Sequence, residues 1–248
     1  MKRIRTEYTF RTDRIEKALR FAVCSDLHSD SFDDVLEEFG RCDAVLVPGD
    51  LVDRHRRNND NALRFLQVVP EIVPVFYSVG NHERKYPLRE SYLQKVTESR
   101  VTLLDNESTD FHGVRLGGLS SSWDPAPDLD FLSRFEKESG YRLLLCHHPE
   151  IYRDYVRGRD IDLTLCGHAH GGQIQFFGRG LYAPGQGLFP KLTHGLHDGG
   201  KMLISRGMTN AAKPPIPRIN NPCELIILTL EREDEHDTGR PEAADGLV

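Results

Sequence analysis

A chain of 248 residues, 38% hydrophobic and 28% charged, is long enough to bury a substantial core beneath the polar surface of a globular domain. Its net charge of −6 excludes a broad basic face for extended nucleic acid. No run reaches the roughly 18 apolar residues of a membrane span, residues 1–7 are too charged for a secretory leader, and five cysteines without CxxC spacing suit a reducing compartment, so a cytoplasmic protein is expected.

Apolar runs alternate with amphipathic stretches, the rhythm of βαβ units. Residues 21–24 (Phe-Ala-Val-Cys) predict a buried strand. Residues 32–39 predict a helix, with Phe32, Val35, Leu36 and Phe39 spaced by three and four. A strand is expected over 44–47, a helix over 61–69 and a strand over 73–79. Residues 88–96 read as a helix, and 101–104 with 114–119 as a strand pair around a turn. Further helices are expected over 129–135 and 150–156, and strands over 143–146 and 161–166. After Gly171, Gly, Pro and aromatic residues dominate to about Gly200, the composition of loops and short hairpins. Residues 201–205 and 223–230 predict late strands, joined by a stiff Pro-rich loop at 213–218. A single domain over 1–231 is expected, followed by an acidic, disordered tail over 232–248.

Five polar clusters each follow one of the apolar runs: Asp26-Leu27-His28, Gly49-Asp50, Gly80-Asn81-His82-Glu83, His147, and Gly167-His168-Ala169-His170. In open α/β sheets, sites form at the C-terminal ends of strands, so the shared placement argues for one site. Hard carboxylate and amide oxygens mixed with imidazole suit a pair of divalent first-row cations. Asp26 and His28, two apart, leave an extended segment on the same face and could reach one ion; the alternative is a turn Asp and a surface His. A Gly-Asp pair is by itself usually a turn, although one carboxylate can bridge two cations. Asn81 offers a neutral oxygen, and His82 points elsewhere, free for acid–base work. Two histidines one residue apart and bracketed by glycines suit a ligand loop. Of His147 and His148 only one should face the ions, and His147 is taken as the ligand. Cys24, Cys146 and Cys166 flank these clusters and are read as packing residues.

The order DxH, GD, GNHE, H, GHxH resembles the calcineurin-like metallophosphoesterases over about residues 20–230. The resemblance implies an α/β fold, a four-layer αββα sandwich with two mixed β-sheets. It implies a first metal held by Asp26, His28, Asp50 and His170, and a second held by Asp50, Asn81, His147 and His168. His82 would be the catalytic histidine, and Asp53 the carboxylate that orients it. Glu83 stands where Asp is also common. The implied activity is hydrolysis of a small phosphate ester, with a hydroxide bridging two divalent ions (Mn, Fe or Zn, with Mn favoured) as nucleophile.

Residues 171–174 (Gly-Gly-Gln-Ile), 204–208 (Ile-Ser-Arg-Gly-Met) and Pro217-Arg218 look like one bacterial branch, which includes membrane-associated phosphodiesterases and relatives cleaving the pyrophosphate of a UDP-linked acylated glucosamine. Members of that branch often carry an N-terminal apolar anchor, which residues 1–7 lack. A phosphodiesterase is therefore expected, with a phosphomonoesterase or nucleotide-sugar pyrophosphatase as alternatives. A non-catalytic binding module on this fold should have lost ligands that are all filled here. Arg54 and Arg57 read as a clamp for a second acidic group or as a solvated loop. His194 could line the site mouth, Arg206 could contact phosphate or brace a loop, and Trp123 could stack on a base or pack.

Overall fold

Alternation along each strand sorts the apolar side chains into three buried layers. The computed structural model describes residues 3–120, 126–210 and 217–233; Trp123, residues 213–216 of the Pro-rich loop and the tail beyond Glu233 lie outside them. One six-stranded sheet runs in the order Ile4–Thr12, Glu224–Arg232, Leu19–Val23, Ala44–Val47, Val75–Tyr77, Thr102–Leu103. The second runs Gly195–His197, Met202–Ile204, Leu163–Cys166, Tyr141–Cys146, Val114–Leu119, Glu107–Phe111. Both mix parallel and antiparallel pairs.

The sheets pack face to face. Ala44 and Leu46 point into the layer between them, where they meet Leu143, Leu145, Leu163 and Leu165. Their neighbours Val45 and Val47 point outward onto Phe39, Phe65 and Val96, which belong to the helical segments beside that sheet. On the other sheet Leu144, Cys146 and Cys166 face outward against Phe131, Phe135, Ile151 and Tyr152. Strands apolar on both faces are what two covered faces require, and the result is the expected αββα sandwich. Cys24 lies in the first outer layer and Cys146 and Cys166 in the second, as packing residues. Burial pushes the Cys24 thiol up to about 12, so it stays a neutral apolar side chain.

Three expectations are corrected. Residues 101–104 and 114–119 do not pair with each other. Thr102–Leu103 closes the first sheet beside Val75–Tyr77, whereas Val114–Leu119 pairs with Glu107–Phe111 in the second. That partner reads Glu-Ser-Thr-Asp-Phe, an edge strand without an apolar signal. Ile4–Thr12, read above only for its charge, is a nine-residue edge strand parallel to Glu224–Arg232. The last strand runs to Arg232, and Glu233 N–H still donates to Thr12 O, so ordered pairing passes residue 231. The expected helix over 150–156 is a short α-turn at Pro149–Ile151 followed by a π-turn over Tyr152–Val156. No helix of the described residues is long and apolar enough to cross a membrane.

Leu145 is fully buried between the sheets. Leu145→Ala is expected to cost about 2–5 kcal/mol, because the cavity can collapse only partly. Urea unfolding should show a lower midpoint at unchanged slope.

Candidate metal centre

Five strands end at one rim of the sandwich. Leu19–Val23, Ala44–Val47 and Val75–Tyr77 belong to the first sheet; Tyr141–Cys146 and Leu163–Cys166 belong to the second. The loop after each strand carries one of the five polar clusters. Backbone pairing continues into these loops. Asp26 N–H donates to Gly49 O at 3.2 Å, His28 N–H to Asp50 O at 3.0 Å and Gly167 N–H to His147 O at 2.9 Å. The loops are thus held in the sheets' register.

Asp26 and Asp50 are buried at the centre. Asp26 Oδ1 faces three imidazole Nε2 atoms: His170 at 3.6 Å, His28 at 3.8 Å and His147 at 3.8 Å. Asp50 Oδ2 lies 3.0 Å from His147 Nε2, 3.9 Å from His28 Nε2 and 4.0 Å from His82 Nε2. The Nε2 atoms of His28 and His170 are 3.3 Å apart. Donor atoms within 4.8 Å of one another form three sets: Asp26, His28 and His170; His28, Asp50 and His82; and Asp50, His147 and His168. The sets share His28 and Asp50.

Burial alone would push both aspartates up, but the histidines around them hold both well below the usual carboxylate range. Burial also keeps the His170 ring neutral, at about 3, and lowers His168. Against the same burial, the carboxylates of Asp50 and Asp26 raise His147 to about 9. Several polar atoms here are buried without a hydrogen-bond partner: Asn81 Oδ1, His28 Nδ1 and His147 Nδ1. Buried polar atoms are almost always satisfied, and ionised carboxylates, imidazole rings and an orphaned amide oxygen are the donor set divalent transition ions take. The residues therefore fit a metal.

The backbone is bent to make this arrangement. Asp26, His28, Asp50, His168 and His170 all have φ between 47° and 66°. That region costs a non-glycine residue on the order of 1 kcal/mol or more, and persists only where its surroundings enforce it. Gly49, at φ 128°, and Gly80 pass each other so closely that a Cβ on Gly49 would sit 2.7 Å from His147 Nδ1 and 2.8 Å from the Gly80 Cα. A side chain at either position would separate the loops of Asp50 and Asn81.

Beside the centre, His82 Nδ1 receives the Arg54 N–H at 3.2 Å and lies 3.4 Å from Asp53 Oδ1. Asp53 is itself fixed: His55 N–H donates to its Oδ1 at 2.9 Å, and Asn59 Oδ1 accepts its N–H at 2.8 Å. Burial lowers His82, but the charge of Asp50 and the Asp53 contact outweigh it and raise the ring's proton affinity.

The residues expected to touch substrate are placed around the centre as follows. Arg54 reaches His82 through its backbone, and its Nε donates to His55 Nε2 at 3.1 Å. Arg57 lines a neighbouring cavity of about 350 Å³ with Asn59, Tyr86 and Lys95. His194 Nδ1 is bonded to Thr193 Oγ1 at 2.9 Å and Gln175 Nε2 at 3.1 Å. Arg206 donates to Asn221 Oδ1 at 3.3 Å, and Asn221 Nδ2 in turn donates to His170 O at 2.8 Å, so Arg206 braces the loop behind the centre. His148 is buried against His168, ring centroids 4.1 Å apart.

Two residues here were given no role in the sequence. Glu83 accepts the N–H groups of Asp50 (3.0 Å), Val52 (3.0 Å) and Gly80 (2.9 Å), tying the Asp50 and Asn81 loops together. Arg218 donates through Nη2 to Arg206 O at 2.7 Å and Thr209 O at 2.6 Å and touches His170 Nδ1 at 3.2 Å. A carboxylate directly after Asn81-His82 was the available signal for Glu83, and the Pro217-Arg218 pair that marks the resembled branch was the signal for Arg218.

Residues 19–172 match the family model described as calcineurin-like phosphoesterase. An uncharacterized metallophosphoesterase of Helicobacter pylori is 31% identical over 65% of this chain and 47% of its own length. Bacillus subtilis YpbG is 30% identical over 83% of this chain and 78% of its own. Escherichia coli phosphodiesterase YaeI is 29% identical over 54% of this chain and 50% of its own. The chain spans about half the length of the Helicobacter pylori and Campylobacter jejuni relatives it matches. A solved metallophosphoesterase from Sphaerobacter thermophilus aligns over 62% of this chain and 61% of its own at 17% identity and TM-score 0.36.

Glu83→Ala removes the acceptor for three buried N–H groups. Metal affinity should fall by about 10–100-fold, the usual cost of losing a group that orients ligands, as read by calorimetric titration of Mn²⁺ into stripped protein. In the unsubstituted chain, added Mn²⁺ should raise the melting temperature, since it binds the folded state, and Asp50→Asn should abolish that rise.

Proposed function

Because this chain belongs to the calcineurin-like phosphoesterase family, we propose that it hydrolyses phosphate esters at a dinuclear metal centre and prefers diesters. The observation that carries this reading is the sharing of His28 and Asp50 among three overlapping sets of donor atoms. One ion would be held by Asp26, His28, Asp50 and His170; the other by Asp50, Asn81, His147 and His168, with the Asp50 carboxylate common to both. Mn²⁺ is our first choice, with Fe²⁺ and Zn²⁺ compatible with the same mixed oxygen and nitrogen set. Such ions, when bound, polarise phosphoryl oxygens and lower the pKa of coordinated water.

The chain's own groups do the rest. Arg54 N–H, donating to Nδ1 of His82, leaves the proton of the neutral ring on Nε2, the nitrogen that faces Asp50 and the ligand set. That N–H is aimed where charge develops on a phosphoryl or leaving oxygen. When the ring carries a second proton, Asp53 Oδ1 is placed to accept from Nδ1–H. His82 therefore donates to the departing alkoxide as general acid, and Asp53 positions it. The likeness to phosphodiesterase YaeI supports a diester substrate.

The test is hydrolysis of bis-p-nitrophenyl phosphate against p-nitrophenyl phosphate, on stripped protein with Mn²⁺ restored. Metal-dependent cleavage of the diester, lost in Asp50→Ala, is the expected result. Faster cleavage of the monoester would move the assignment to a phosphomonoesterase, and no cleavage of either would send the search to pyrophosphate-linked substrates. His82→Ala should lower kcat by about 10²–10⁴-fold, the usual worth of a general acid, while metal content stays unchanged. Full turnover in a metal-replete His82→Ala protein would remove His82 from the mechanism.

A further inference from the structure

The segments that follow Asp53 and His82 are rich in cations. Residues 54–59 (Arg-His-Arg-Arg-Asn-Asn) and 84–89 (Arg-Lys-Tyr-Pro-Leu-Arg) hold six Arg and Lys and no Asp or Glu, although the net charge of the chain is −6. Three of these cations are engaged. Arg54 Nε donates to His55 Nε2, Arg56 Nε lies 3.5 Å from Asp53 Oδ2, and Arg84 Nη2 donates to Ser120 Oγ at 2.9 Å. The Arg57 side chain makes no hydrogen bond or ion pair with the described residues.

Arg57 borders the cavity of about 350 Å³ between the start of the helix Asp60–Val68 and the helix Arg89–Glu98. Lys95, from the second helix, lines the same cavity and also has no partner among the described residues. Small-molecule sites occupy roughly 300–1,000 Å³, so the volume suits one compact ligand. Asp60 is the carboxylate in the lining, and it is already bonded to Asn58 Nδ2 at 2.6 Å. Two unengaged cations against one engaged carboxylate leave the cavity positive.

The rest of the lining is aromatic and apolar. Tyr86 and Tyr92 meet edge to face, ring centroids 6.2 Å apart at 89°. Leu88, 61% exposed, adds an apolar wall. The Tyr86 hydroxyl has no hydrogen-bond partner among the described residues. Cations without partners take a phosphate-like anion, and a half-buried tyrosine ring beside a leucine takes a flat ring.

We propose that the cavity bounded by Arg57, Tyr86 and Lys95 binds a small phosphorylated aromatic compound, at a site separate from the metal centre. None of its lining residues is among the metal donors. The binding holds whatever the enzyme hydrolyses, so it stands apart from the diesterase reading. The site also touches the catalytic side of the molecule. Asn59 lines the cavity and holds Asp53 by two bonds: its Oδ1 accepts the Asp53 N–H at 2.8 Å, and its Nδ2 donates to Asp53 O at 3.2 Å. An occupant thus rests against the loop that carries the carboxylate partner of His82.

Calorimetric titration of phenylphosphonate into the full chain, stripped of metal, tests it. That compound joins a phosphate-like dianion to a ring and has no ester to cleave. It should bind saturably, more tightly than methylphosphonate, and more weakly as salt rises. Arg57→Ala with Lys95→Ala should raise its dissociation constant by about tenfold, the scale of two exposed charge contacts. The melting temperature and Mn²⁺ binding of that variant should be unchanged, because both side chains are exposed. Tyr86→Leu, which keeps apolar bulk but removes the flat ring, should weaken phenylphosphonate by about 2–10-fold and leave methylphosphonate unaffected. No saturable binding overturns the proposal. Binding unaltered in the Arg57/Lys95 variant overturns it as well, and would move the anion to the histidines of the stripped centre. Equal affinity for the two phosphonates removes the aromatic compound as the occupant.

Discussion

Burying Asp26 and Asp50 side by side, with Glu83 close by, costs several kcal/mol per ion unless each is compensated. The rim of the sandwich is organised around that compensation. Histidine rings surround the two aspartates, three backbone N–H groups converge on Glu83, and the His168 N–H donates to Asp26 Oδ1 at 3.1 Å. The orphaned Asn81 oxygen and His147 Nδ1 show that the protein groups alone do not complete it.

The two-sheet architecture makes such a cluster feasible. Neither sheet supplies all the donors. Asp26, His28, Asp50 and Asn81 come from strand ends of the first sheet; His147, His168 and His170 come from the second. Packing Leu46 on Leu143, Leu145 and their neighbours brings the two sets of strand ends to one edge. The inter-sheet core thereby fixes the separation of donors that are far apart in sequence. The positive-φ residues at five of these positions show where this fixation is spent, because each loop must turn its side chain back toward the seam.

The groups behind the donors set how rigidly they are held. Arg206, Asn221 and Arg218 support the His170 loop, and Asn59 and His55 support Asp53. The hairpins after Gly172 have the opposite character: their inner residues are tied to the His170–Gly172 turn, and their outer aromatic residues are exposed among the described residues. One loop thus joins the braced His170 segment to exposed apolar side chains.

Much of this was legible in the sequence. Strands apolar on both faces, such as Ala44–Val47 and Leu163–Cys166, announce themselves by continuous hydrophobicity, and the polar clusters after them mark their ends. Edge strands were not legible: Ile4–Thr12 and Glu107–Phe111 owe their pairing to neighbours distant in sequence, and their half-exposed faces carry polar residues that read as loop. The roles of Glu83 and Arg218 were hidden for the same reason, since each acts by reaching groups that only the folded chain brings near. By itself the sequence determined which donors exist and that they follow strands, because residue type and hydrophobic period are local properties. Only the tertiary structure decided which donors meet, which cations are tied up in bracing and which aromatics remain outside, because those depend on register and sheet packing.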